Sequence, residues 1–331
     1  METLPQAKTV GPPPFLGSFT KGFNSVASRV WLILPPVLLD LFLWFGPRLS
    51  LQNLLSPIFA QLTTDMVKSA GANLPQNFNT ANELTQTMLV SSNLMTALRS
   101  YPIGVPSLMA IASPLVNALG LPVIYQVPNV QTALLIWLGL TLTGVLLGSL
   151  YFSSLAKAAG SVVEAVPDRK PVDTFGQVLI FTLLMYAVLI IVGIPILMFL
   201  GLMTLINPAL GQIIFMVVFF LVLWFLMPLV FSPFGIFTAG LKVMPSIAVS
   251  FKLVRGYLKG TGLFILFAIL IEIILDTLWV KPPSNSWLML ISIGGHAFVS
   301  TGLITSAFVY YLGGMRWMRI RTTVTDTIVA A

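Results

Sequence analysis

Long unbroken apolar runs alternate along this chain with short polar, basic connections, and the runs have the length of bilayer-crossing helices. A helical crossing takes about 20 apolar residues. Six stretches approach or exceed that length: 30–46, 131–152, 175–205, 211–234, 262–280 and 287–312. The first is short and carries Pro35 and Pro36 near its start, where a helix tolerates proline. The third is long and holds Gly193 and Pro195, which predicts a kink or a strong tilt. Trp44, Trp137, Trp279 and Trp287 fall near one set of span ends, with Trp31 and Trp317 near the other, the placement of interfacial indoles.

Between the first two spans lies a long segment, 47–130, that reads as mainly helical and amphipathic. Leu51, Leu54, Leu55, Ile58, Phe59, Leu62 and Met66 follow an i, i+3, i+4, i+7 spacing, and Leu84, Met88, Ser91, Met95 and Leu98 form a second, weaker face. Residues 103–124 are apolar enough to enter the bilayer. Pro102, Pro106, Pro114 and Pro122 argue there for a broken, re-entrant or surface-lying element over a clean span.

Basic amphipathic stretches lead into the first and fifth spans. Ser18–Phe19 precedes Asp40 by the same interval at which Ser250–Phe251 precedes Glu272. The implied repeat is an interfacial helix followed by a transmembrane hairpin, with a fainter middle copy around 161–177.

Composition turns this pattern into a class. Hydrophobic residues make up 57% of the chain and charged residues 8%, against about 25% charged in soluble domains. An ordinary soluble globule is excluded. With no Cys, disulfides, thiolate metal sites and cysteine nucleophiles are also excluded, and one His leaves no multi-histidine metal site. The net charge of +7 needs no nucleic acid to explain it, because the basic residues sort by side. With six spans and the N-terminus inside, Lys8, Lys21, Arg29, Lys157, Arg169, Lys170, Lys242, Lys252, Arg255, Lys259, Arg316, Arg319 and Arg321 are cytoplasmic. Only Arg48, Lys68, Arg99 and Lys281 lie outside. A seven-span arrangement with the N-terminus outside scores the same, and the repeat favours six. The first fifteen residues lack the apolar core of a signal peptide, so the first span reads as a retained anchor.

The expected fold is an all-α polytopic membrane helix bundle of about six transmembrane helices, with cytoplasmic amphipathic interfacial helices and a helical extracytoplasmic segment. Its expected parts are a polar, Pro-rich tail (1–17), an amphipathic helix and first span (18–46), the extracytoplasmic segment (47–130), a five-span bundle (131–315) and a basic cytoplasmic tail (316–331). The expected location is a bacterial cytoplasmic membrane with both termini cytoplasmic.

The run from Ser246 to Gly260, followed by an apolar span and a hairpin ending in Tyr310–Tyr311, resembles the membrane domain attached to some bacterial glycerophosphodiester phosphodiesterases. It is also similar to related multi-pass families of unknown function. The resemblance covers roughly the last ninety residues. It implies a fold and no activity, because the phosphodiesterase chemistry of those proteins resides in a separate soluble barrel for which this chain has no room.

Four ionisable residues fall inside the spans: Asp40, Glu272, Asp276 and His296. A charge at the bilayer centre costs about 2.5–3.5 kcal/mol on insertion scales, so each is a candidate site residue. Counted along their spans, Asp40, Glu272 and His296 come to similar depths, and Glu272 and Asp276 are i, i+4 on one helix. They could relay protons or bind a cation, or they could simply hydrogen-bond between helices. Lys252, Arg255, Lys259, Arg316, Arg319 and Arg321 are candidate contacts for lipid headgroups. Gly139, Gly144, Gly148, Gly294, Gly295, Gly313 and Gly314 suggest close helix approach.

No metalloprotease, intramembrane protease or phosphate-loop motif occurs, and no cofactor is implied. The expected partners are the lipid bilayer and a membrane protein, with no nucleic acid. Two functions remain open at this point. One is a non-enzymatic scaffold or accessory subunit that binds lipid or a partner. The other is a small permease-like transporter with a protonatable midplane site.

Overall fold

A computed structural model describes residues 11–70, 78–168 and 170–330, and the side chains at 70, 81, 205 and 321–330 lie outside the description. Lys8, Arg169 and the side chain of Arg321 therefore fall outside it. The helices are α1 (Phe15–Ala27), α2 (Leu34–Phe45), α3 (Gln52–Ala70), α4 (Phe78–Ser91), α5 (Leu108–Ala112), α6 (Val130–Gly160) and α7 (Pro171–Val188). They continue with α8 (Ile194–Ile206), α9 (Pro208–Leu226), α10 (Ser232–Thr238), α11 (Val243–Gly256), α12 (Leu258–Trp279) and α13 (Met289–Ala330). Two three-residue strands, β1 (Arg48–Ser50) and β2 (Ile124–Gln126), pair in parallel with Leu49 opposite Tyr125. The fold is all-α, and the protein is a multi-pass membrane protein.

Among the described residues, five helices are long and apolar enough to cross a membrane, and a sixth crossing is counted if the bent pair Phe15–Ala27 and Val30–Phe45 forms one span. The third span is a single helical run, Pro171–Thr204. It contains a π-helical turn at Leu189–Gly193, just before Pro195. Proline offers no N–H and its ring crowds the carbonyl four residues back, so the ladder widens there instead of breaking.

The chain forms two compact units, and α6, α12 and α13 supply residues to both. The first comprises Met1–Leu32, Ser149–Glu272 and Val299–Ala331. Its interior is aromatic: Tyr310 stacks on Phe264 at 4.5 Å, Phe264 on Phe19 at 4.7 Å, and Phe308 meets Phe234 edge-on at 4.5 Å. α1 seats on α13 because Gly22 leaves room for Ser306; a Cβ at Gly22 would lie 2.5 Å from the Ser306 Cα.

At both proposed repeat positions the element order is the same: α1 or α11, a short break, then a second helix. The middle copy departs from that order, because residues 161–168 hold no helix and α7 starts only at Pro171. In the basic stretch from 316 onward the backbone stays helical, as the end of α13, through Ala330.

The second unit comprises Ile33–Gly148 and Ile273–Phe298. Residues 103–124 hold no helix long enough to cross a membrane, the longest among them, α5, having five residues. They fold back along the spans instead. Gly104 lies against Gly148 of α6 so closely that a Cβ at Gly148 would be 2.8 Å from the Gly104 Cα and 2.8 Å from the Ile103 carbonyl oxygen. A Cβ at Gly144 would be 2.4 Å from the Leu98 carbonyl oxygen. At 1.5 Å per residue, Gly148 is about 27 Å along α6 from Val130, close to the thickness of a hydrocarbon core. Non-helical backbone at such depth persists only where protein buries it, and Ile103, Val105, Leu108 and Met109 are all buried. The segment has the form of a re-entrant loop, and the small residues of α6 receive it instead of a helix. Gly139, expected to pack in the same way, has nothing near it.

Candidate functional site

Asp40 lies in the middle of α2 and is fully buried. Its carboxylate accepts three hydrogen bonds at the start of α5: from the Ser107 hydroxyl at 2.5 Å, the Leu108 N–H at 3.1 Å and the Met109 N–H at 2.9 Å. The Ser107 side chain in turn accepts from the Ala110 N–H at 3.0 Å. A helix start leaves its first N–H groups without partners, and in apolar surroundings each would cost several kcal/mol. Asp40 and Ser107 together satisfy three of them. Asp40 is thus bound up within the chain by the re-entrant segment that it anchors.

His296, two turns into α13, is close enough to Asp40 to interact with it electrostatically. Its Nδ1 lies 2.9 Å from Asp276 Oδ1 on α12. The His296 side chain is 2% exposed and that of Asp276 22%. The second unit therefore brings three of the four intramembrane candidates into one neighbourhood. Glu272 belongs to the first unit, where it lies within electrostatic reach of Tyr151. Beside Asp276 a crevice of about 510 Å³ is lined by Ile111, Asp276, Thr277, Val280 and Lys281. Among the described residues, no set of three or more His, Asp or Glu side chains is placed to hold a metal ion.

Three polar groups that the sequence left unremarked complete this region. Arg48, 4% exposed, donates to the carbonyls of Ser91 at 2.6 Å, Ser113 at 3.5 Å and Pro114. Burial lowers its pKa from the usual value, and an arginine still keeps its proton at any physiological pH. Asn93 accepts from the Leu49 and Met95 N–H groups at 3.0 and 3.2 Å. Asn117 donates to the Trp44 carbonyl at 2.9 Å, while the Trp44 indole donates to the Ser284 carbonyl at 2.9 Å. A cap signal was present at Ser107 and Asn93, each a short polar residue just before an apolar turn. Nothing local pointed to the distant partners.

The basic candidates belong to the first unit. Lys252, Arg255, Lys259, Arg316 and Arg319 are exposed. Arg255 stands over the Phe251 ring at 5.3 Å, and Arg319 pairs with Glu164 at 2.9 Å. The same loop is held by Arg29, which donates to Ser161 at 3.0 Å, and by Lys157, which meets Asp168 at 2.6 Å. The Lys157 ammonium keeps the Asp168 carboxyl below its ordinary range.

No family model, curated protein or solved structure matches the chain.

Proposed function

We propose that this protein is a non-enzymatic scaffold or accessory subunit of a bacterial cytoplasmic membrane, binding lipid or a partner membrane protein, with both termini cytoplasmic. The observation that carries the reading is Asp40. A transport carboxylate must exchange its ligand with water, whereas this one is fully buried and held by three donors of its own chain. Its chemistry is that of a bracket between α2 and α5. The outward surfaces supply what a scaffold needs. The α3–α4 hairpin leaves Ile58, Leu62, Met66, Leu84 and Met88 exposed, and α7–α9 are apolar on nearly all sides. The resemblance of the region from Ser246 onward to a membrane domain that accompanies an enzyme agrees with an accessory role. The test is affinity purification of the intact chain in a mild detergent, with mass spectrometry of co-purifying proteins and lipids. A partner recovered in stoichiometric amount supports the reading; a lone monomer carrying a specific soluble molecule contradicts it.

One observation favours the permease-like alternative: Asp276, bonded to the buried His296, lines an open crevice. Under that reading the pair would load and release a proton. Reconstituted vesicles holding a pH-sensitive dye would then show a proton leak that His296→Gln removes, whereas the scaffold reading expects none.

A further inference from the structure

The crevice beside α12 joins three features that the bracket at Asp40 does not use. The first is a half-engaged carboxylate. Asp276 sits in an apolar helix with its side chain 22% exposed, and its carboxylate meets His296 Nδ1 through Oδ1 alone among the described residues. The second is an exposed ammonium, Lys281, which lines the same crevice and has no carboxylate within 4.0 Å among the described residues. The third is an apolar track: Ile111 and Val280 on the lining, with Ile273 exposed one turn back along α12.

From this combination we propose that the crevice of about 510 Å³ binds the headgroup of a zwitterionic phospholipid, its phosphate on Lys281 and its ammonium on Asp276. The charges select the ligand. A purely anionic headgroup would set a phosphate against the Asp276 carboxylate, and a simple cation would meet Lys281. A phosphate–amine pair satisfies both, and each contact is a charge-assisted hydrogen bond. The track selects the source, because acyl chains can lie on Ile111, Val280 and Ile273 where a soluble zwitterion gains nothing. His296 positions the Asp276 carboxylate from behind by holding Oδ1. The proposal deepens the lipid-binding side of the scaffold reading and rests on it.

The test uses the intact chain purified in mild detergent and exchanged into phosphatidylethanolamine, phosphatidylglycerol or soluble phosphoethanolamine, with retained molecules counted by native mass spectrometry. Phosphatidylethanolamine should be retained about tenfold over phosphatidylglycerol, and Lys281→Gln should lower its retention about tenfold, the loss of one charge-assisted hydrogen bond. Asp276→Asn should do the same. Should that variant fold poorly for want of its His296 contact, Lys281→Gln carries the test, since its side chain is exposed and meets no carboxylate among the described residues. Equal retention of the two lipids, or full retention by Lys281→Gln, overturns the proposal. Displacement of the lipid by an equal concentration of phosphoethanolamine overturns the lipid assignment. Recovery of a protein partner is scored separately, so a partner without a preferred lipid removes the crevice proposal and leaves the scaffold reading standing.

Discussion

The Ser107 hydroxyl donates to Asp40 Oδ1 at 2.5 Å, joining residues 67 positions apart in the chain. Neither group is unusual taken singly: Ser107 is a helix cap and Asp40 a polar residue in an apolar helix. Together they hold a non-helical stretch inside the membrane region, where unbonded backbone would be prohibitive. The acid that first suggests transport is what lets the loop descend.

The contact between Gly148 and Gly104 leaves no room for a side chain. Gly148→Leu should destabilise the protein by about 1–3 kcal/mol or prevent its accumulation, because the colliding atoms are backbone and cannot rotate away. Gly139→Ala, with nothing near it, should stay within about 0.5 kcal/mol of the parent. Thermal denaturation in detergent compares the two. Equal effects would contradict the re-entrant packing.

Arg48 converges on three carbonyls from two stretches of the segment, Ser91 and Ser113–Pro114. Arg48→Met should cost about 2–4 kcal/mol, since hydrogen bonds to charged groups contribute about 1.5–3 kcal/mol each and the stranded carbonyls regain only some water. Arg48→Lys should recover less than half of the loss, because an ammonium lacks the planar fork that reaches divergent acceptors. Denaturant or thermal unfolding of the three proteins reads this directly.

Lys157 and Asp168 strap the 161–168 loop at a fully exposed position. Because Lys157 depresses the folded-state pKa of Asp168, the strap's contribution is complete above the ordinary aspartate value of 3.8 and is lost as pH falls through the lower, folded value. Limited proteolysis of the loop should therefore be flat from neutral pH down to about 4 and rise only below it, and Asp168→Asn should remove that rise. Added salt should weaken the strap at any pH. A rise centred near pH 6 would contradict the pairing.

Much of the fold was legible because its determinants are local. Span lengths, the disturbance around Gly193 and Pro195, and the helix at α3 follow from runs and periods within single segments, whereas the face read through Leu98 is cut when α4 ends at Ser91. The re-entrant segment was only bounded: its prolines argued against a clean span, but its receptor, Gly144 and Gly148, lies after it in the chain and resembled helix-packing glycines. The site was half legible for the same reason. Counting residues along spans set His296 level with Asp40 and Glu272, whereas in the structure it bonds to Asp276, one turn beyond Glu272. The Asp40 carboxylate, read from its depth, pointed to a shared polar site, whereas its partners sit on a helix of five residues that no periodicity could reveal. Arg48 passed as one more charge beyond a span, because burial of an arginine is invisible until the carbonyls around it are in place.

The claim that Asp40 is a structural bracket is tested most directly by a double-mutant cycle between Asp40→Asn and Ser107→Ala, measured by reversible unfolding in detergent or bicelles. If the carboxylate and hydroxyl bind each other as described, the two substitutions should couple by about 1–3 kcal/mol, the double variant losing clearly less than the sum of the single losses. Additivity within about 0.5 kcal/mol would mean that the two groups act independently, and would contradict the account.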